Sequence, residues 1–465
     1  MKPQRTIAAL AAFAAVAGLT VACGRAGGAT TSSPSSAGST AATQAVASTF
    51  GTLGKVCHSG SPSGSTDQGV TASTIQVGTF TDQSFTQDPT MVDAAKVFTS
   101  WCNSLGGIDG RRIVSNTLDD GLYNVQAKMV EACGQDFALA GGESALDELG
   151  VETRLKCLLP AFPAQVISTL NTGSSLQVSP GYNTGKYYVY NQYYNWLIKQ
   201  EYPDSAQHVG IIAGDVGVTE TDEAEAAEDI KSLGGSVGYD TLYSPIGSID
   251  WTPFAEAIKS KGIKGLIFLG QYQDLAKLEL ILTNMDYKLD WIDANTNSYD
   301  TAFNGLAGSS VLSEQNNVAD IEGVYPLEEA SSNPASKELS QLWAKYEPYE
   351  QLSLPGVLAF SSWLLFAESA SSCGVDLTRK CLYDAAIKQT SWTAGGLMAP
   401  MSLSPTTTPV TCWNVEKDTP SGWEPASFGA NDGAYSCGGP YYLLKGNYGS
   451  PLTLANVGLS LSDLK

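Results

Sequence analysis

The chain has 465 residues, of which 43% are hydrophobic and 16% charged, and its formal net charge is −21. A surface this acidic repels phosphate backbones, whose binding proteins carry basic patches, so nucleic acid is excluded as an expected partner. The length allows two or three lobes.

The first 22 residues read as a leader. Lys2 and Arg5 precede the apolar run "IAALAAFAAVAGLTVA" (7–22), which is of secretory type. Cys23 follows directly, as in a bacterial lipoprotein signal cut before a lipidated cysteine, with Thr20 where such motifs usually carry leucine. An uncleaved anchor helix is the alternative, but sixteen apolar residues are short for a span. Residues 24–56 are rich in Ser, Thr, Ala and Gly and cannot bury enough surface to fold. A flexible tether is therefore expected over 23–67, with folded structure established near Thr71.

Strands and helices then alternate. "TIQVGTF" (74–80) reads as a strand, rich in β-branched and aromatic residues. Asp88 and Pro89 open a helix whose apolar face is Met91, Ala95, Phe98, Cys102 and Leu105. In "NSLGGIDGRRI" (103–113), Gly106 and Gly107 end that helix, Asp109-Gly110 turns the chain, and "RRIVSNTL" begins the next strand. Phosphate-cradling loops follow a strand and open a helix, so these glycines are turn residues.

Further strands are expected at "FALAG" (137–141), "HVGIIAG" (208–214), "GLIFLG" (265–270) and "LDWIDA" (289–294). Helices are expected at 124–133, 221–233, 253–261 and 274–284. "GVLAFSSWLLFA" (356–367) suits a buried core helix. Tyr187, Tyr190, Tyr194 and Leu197 would share one helical face near a lobe crossing. The alternation predicts an α/β protein with parallel sheets covered on both faces.

Eight of the nine cysteines remain once Cys23 is set aside, and an even count in an exported chain indicates disulfides. Cys102 and Cys133 end consecutive helical segments and are paired here. Cys373–Cys381 and Cys412–Cys437 are near neighbours, which leaves Cys57 for Cys157. Zinc is disfavoured, because there is no C-x-x-C and only His58 and His208 could assist.

Asn103, Gly106, Gly107, Ile108, Gly110, Arg111, Asp119 and Asp120 resemble a signature of the leucine/isoleucine/valine-binding proteins, the solute receptors of ABC importers. The resemblance in element order runs over roughly 70–415. It implies the type I periplasmic binding protein fold: two Rossmann-like lobes joined by a three-segment hinge. The corresponding boundaries are 68–185 with 322–400 for one lobe, and 186–321 with 401–465 for the other. It also implies a monomer that delivers a small solute to permease subunits, is lipid-anchored outside the cytoplasm, and has no catalytic residue, cofactor or metal.

Open parallel sheets bind ligands beyond the carboxyl ends of their strands. The expected ligand-binding residues are accordingly Asp82, Gln83, Ser84, Phe85, Glu143, Ser144, Pro163, Ala164 and Gln165 from one lobe. Asp215, Val218, Tyr272 and Asn295 come from the other. Ser144 and Tyr272 match loops where the family places ligand-binding hydroxyls, while Asp119 and Asp120 are expected to be structural.

Two departures bear on the solute. Asn295 stands where the family places a carboxylate for the ligand's ammonium, with Asp293 still inside the strand, and Glu143 would repel a ligand carboxylate. An amide, a urea-like compound or a cationic solute fits better than an aliphatic amino acid. A sensor module sharing the fold is the chief alternative function. A secreted hydrolase is disfavoured, because neither histidine accompanies a G-x-S-x-G nucleophile motif.

Overall fold

Residues 49–180, 188–189, 191–244, 250–404, 412–439 and 441–465 are described by a computed structural model. The leader, Cys23, Tyr187 and Tyr190 lie outside the described residues. Among those residues no helix is long and apolar enough to cross a membrane.

The first lobe is built on four parallel strands in the order Arg112–Asp119, Thr74–Thr81, Ala138–Ala140 and Ala161–Phe162. Behind them lies the helix Leu354–Cys373, apolar on nearly every side and buried along most of its length. Its Phe360 and Trp363 meet Phe98 of the helix Thr90–Ser104 at 5.4 and 5.5 Å between ring centroids. Gly141 has φ +63°, and a Cβ there would stand 2.4 Å from the Trp363 ring, so the helix approaches the sheet only because that side chain is missing.

The 103–113 motif is a fastener between helix and strand. Asn103 donates its Nδ2 to the Ile113 carbonyl at 2.9 Å and accepts the Ile113 N–H at 2.8 Å. Gly107 has φ +79° and passes so close to the Arg111 carbonyl that a Cβ would lie 2.0 Å from it. Arg111 is fully buried and donates to the carbonyls of Thr71 and Val375.

The second lobe holds seven strands in the order Gly422–Pro425, Val415–Thr419, Asn317–Asp320, Trp291–Asp293, Gly265–Leu269, Val209–Gly214 and Val237–Tyr243. The last five pair in parallel, and the two nearest the carboxyl terminus join antiparallel. All six residues of Val209–Gly214 are buried, as for a strand covered on both faces.

Three expectations need correction. Residues 49–67 belong to the folded body and not to a tether. Thr49–Phe50 and Leu53–Lys55 form a hairpin, and Phe50 is fully buried 5.2 Å from the Phe360 ring. A composition averaged over 24–56 hid the few apolar residues that anchor it.

The disulfides join Cys57 to Cys102 and Cys133 to Cys157, not Cys102 to Cys133 and Cys57 to Cys157. The chain moves one way across the sheet after Thr74–Thr81 and reverses after Arg112–Asp119. Right-handed crossovers then place the two helices on opposite faces. Cys102 lies in the core with Trp363, whereas Cys133 borders a separate cluster around Met129. The other two bonds are Cys373–Cys381 and Cys412–Cys437.

The end of the chain, finally, returns to the first lobe instead of staying with 401–465 in the second. Leu454 and Leu464 bury in its core, Leu452 exchanges backbone hydrogen bonds with Leu170 and Ser175, and Lys380 donates to the Lys465 carbonyl. A fourth passage between the lobes thus joins the three expected. On that passage Glu228 of the second lobe accepts the hydroxyls of Tyr442 and Tyr448 and the backbone N–H groups of Lys445 and Gly446, all within 2.9 Å. Thr169 of the first lobe donates to the Tyr448 carbonyl. Burial works to raise the Glu228 carboxyl, but these donors outweigh it and hold the group down to about 2.

Two outcomes follow. Replacing Cys57 and Cys102 by alanine opens a loop of 45 residues, and urea unfolding is expected to show a loss of about 4 kcal/mol by the chain-entropy relation. For Glu228 the folded value lies below the unfolded one, so its contribution is present above about pH 4.5 and lost as pH falls toward 2. Glu228→Gln is therefore expected to flatten that part of the acid-unfolding curve and to speed proteolysis between 442 and 452.

Candidate functional site

Every parallel strand in both sheets ends toward one shared cleft, a cavity of about 940 Å³ walled by both lobes. From the first lobe come Asp82, Phe85 and Asp88 after Thr74–Thr81, Glu143 and Ala145 after Ala138–Ala140, and Ala164 and Gln165 after Ala161–Phe162. From the second come Val218, Thr219 and Asp222 after Val209–Gly214, and Gln271 and Tyr272 after Gly265–Leu269. Asp293 ends the next strand with Asn295 and Asp300 beyond it, and Asp320 ends the one after with Glu322 beyond it.

Of the residues expected from sequence, Asp82, Phe85, Glu143, Ala164, Gln165, Val218, Tyr272 and Asn295 line this cavity. Gln83, Ser84, Ser144, Pro163 and Asp215 do not. Ser84 is turned away, donating its hydroxyl to Asp119 at 2.9 Å. Asp215 is exposed outside the cleft. Ser144 is 4% exposed and faces downward into a smaller cavity with Pro163, Asp147 and Arg154. Glu143 lines both cavities, whereas Ser144 lines only the smaller one.

Asn295 lines the wall as a turn fastener. Its Nδ2 donates to the carbonyls of Phe268 and Gly270 and its Oδ1 accepts the Asn297 N–H, holding a backbone with φ +57°. Asp293, two residues earlier, supplies the carboxylate. Its Oδ2 accepts the Tyr194 hydroxyl at 2.9 Å, and it is 7% exposed. Sequence reasoning missed Asp293, Asp320, Asp222 and Tyr194; for Asp293 and Asp320 the signal available was a lone acid ending an apolar strand, whereas Asp222 and Tyr194 lie on helices and carried no such signal.

Eleven carboxyl side chains line the cavity: Asp82, Asp88, Asp93, Glu143, Asp222, Asp229, Asp293, Asp300, Asp320, Glu322 and Glu350. No lysine, arginine or histidine is among the described residues that line it. Burial raises Glu143 to about 8, helped by Asp82, Asp88 and Asp120. Burial likewise lifts Asp320 to about 7, with Asp293 adding to it, and Asp222 and Asp229 to about 7. For Asp293 the Tyr194 hydrogen bond opposes burial and the group rests at about 6. Such a wall accepts hydrogen bonds and positive charge and disfavours carboxylates.

The family model described as "Periplasmic binding protein" matches residues 74–417. Among curated proteins none matches the chain. A fatty acid ABC transporter substrate-binding protein from Thermomonospora curvata superposes with TM-score 0.64 at 16% identity, covering 82% of this chain and 95% of that one. A possible leucine/isoleucine/valine-binding protein from Rhodopirellula baltica gives 0.65 at 13% identity, with 77% and 97% covered. The branched-chain amino acid transporter substrate-binding protein of Streptococcus pneumoniae, solved with isoleucine, gives 0.59 at 16%, with 74% and 96% covered. The chain belongs to the periplasmic binding protein family, in the type I fold of the leucine/isoleucine/valine-binding-like proteins.

Proposed function

We propose that this protein is the extracytoplasmic receptor of an ABC importer, anchored through Cys23, which closes its lobes on a small polar solute and hands it unchanged to a membrane permease. The carrying observation is the cleft itself, walled by strand ends from both lobes. A solute that bridges the lobes favours the closed form by its differential affinity for the two states. The names of the similar structures include fatty acid and branched-chain amino acid carriers. Among the described residues, eleven carboxyls without a facing base disfavour a fatty acid, and Glu143 on the wall would repel an amino acid's carboxylate. The favoured solutes are amides, urea-like compounds and cations.

Two measurements test this reading. On residues 24–465, a true solute at 100 times its Kd is expected to stabilise the fold by about 2.7 kcal/mol and to shrink the radius of gyration in X-ray scattering. Stabilisation without contraction would sink hinge closure, and release of a chemically altered solute would sink simple binding. The second concerns pH without solute. Glu143, Asp222, Asp229 and Asp320 have folded values above their unfolded ones. The folded chain therefore holds protons that the unfolded chain releases between about pH 4 and 8, and stability falls as pH rises through that window. Calorimetry is expected to give a higher melting temperature at pH 5.5 than at pH 8; the reverse order would show that these groups ionise freely.

A further inference from the structure

We infer that the cleft selects an organic solute carrying at least two separated positive charges, one received by each lobe, and that their neutralisation of both walls is what permits closure. This rests on the receptor reading above and names its substrate class.

The carboxyls fall into two groups, one on each lobe. The acids that act on Glu143 (Asp82, Asp88 and Asp120) all belong to the first lobe, and the one that acts on Asp320 is Asp293 of its own sheet. Across the gap Asp88 acts on Asp300, adding to the rise that burial gives that group. Asp93 is a second and independent sign of a missing partner. It lines the cleft, is 9% exposed, and no donor meets its Oδ2. On the same side Lys96 is paired with Glu347, outside the lining, and acts on Asp93 by charge without donating a hydrogen bond to it.

A monocation could satisfy one group only. Closing on it would leave the other group either as uncompensated buried charge or held protonated, so that wall would gain nothing from closure. A divalent metal ion fits poorly, because among the described residues no three His, Cys, Asp or Glu side chains converge to hold one. The charges must therefore be spread along a carbon frame. The cavity of about 940 Å³ has room for such a frame, at the upper end of ordinary ligand sites. Phe85, Tyr193, Tyr194, Tyr243 and Tyr272 supply the aromatic faces that methylenes and ammonium groups pack against.

Calorimetric titration and X-ray scattering of residues 24–465 at fixed ionic strength and pH 7.5 test this with 1,4-diaminobutane, spermidine and kanamycin as polycations. Butylamine, leucine, acetamide, urea and calcium chloride are the comparisons. At least one polycation is expected to bind and contract the particle, with an affinity at least about tenfold above every comparison. Glu143→Gln in the first lobe and Asp320→Asn in the second are each expected to weaken that binding about tenfold, with the melting temperature of the unliganded variants confirming that they fold.

Binding of leucine, acetamide or urea more tightly than any polycation, with contraction, would overturn the dication inference and leave the receptor reading standing. Binding of no polycation also overturns it. Polycation binding that both variants leave unchanged would place the cation on the acidic outer surface and overturn it too. Contraction with none of these compounds, nor with a wider solute panel, would instead remove the receptor reading.

Discussion

A strand paired in parallel cannot be reached by a tight turn, so each such connection climbs back through a helix and successive strands end at the same edge of the sheet. In the first lobe that edge delivers Asp82, Glu143 and Gln165. In the second it delivers Asp293, Asp320 and the loop to Tyr272. The same geometry brings helix N-termini to the rim: Gly217–Ser232, Tyr272–Asn284 and Thr301–Glu314 all begin among residues that line the cavity or adjoin it. Their positive ends favour negative charge nearby, which helps so many acids tolerate partial burial. The cores behind the sheets, led by Leu354–Cys373 in one lobe and by the buried run of Val209–Gly214 in the other, hold those edges rigid.

Much of this was legible in the chain because a buried strand or an amphipathic helix writes its period into the sequence. The strands around Ile75, Ile211, Leu266 and Ile292 and the helix bearing Phe98 fall where their apolar patterns place them. What period does not encode is the face on which a helix lands. That depends on strand order, and it decides whether Cys102 meets Cys133 or Cys57. Nor does it encode which side chains of one loop reach the main cleft: Glu143 does and Ser144 does not. Asp293 was hidden for a related reason. Counted as part of a buried strand it looks structural, yet as the strand's last residue it stands at the rim, while Asn295 is occupied with its own turn.

The tail adds a constraint that the three-passage hinge does not carry. Glu228 and Asp229 are neighbours on one helix, and they face different ways. Glu228 grips the segment 442–448, which continues to the first lobe, while Asp229 is 1% exposed and reaches the cavity wall. Any rotation that narrows the cleft moves this helix and so pulls on the tail, whose far end is fixed by Leu454 and Leu464. The four donors on Glu228 make that grip strong at neutral pH. If the lobes close as proposed, this tether restricts them to paths that keep the segment 442–452 at nearly constant span.

On the proposed receptor reading, closure must be supplied by the solute. Moving an open-to-closed equilibrium from 99:1 to 1:99 takes about 5.5 kcal/mol of differential affinity. A neutral guest offers hydrogen bonds worth about 0.5–1.5 kcal/mol each, whereas bonds to a charged group reach about 1.5–3 kcal/mol. As the walls approach, water leaves and the carboxyls of both lobes meet at shorter range. A neutral guest would leave those carboxyls either protonated or repelling one another, and would gain only its own hydrogen bonds. A guest with a positive charge at each end converts that repulsion into attraction on both walls and releases the protons that Glu143 and Asp320 hold in the empty cleft. On the dication inference, the same acidity that is expected to lower stability at higher pH is what makes closure depend on one class of solute.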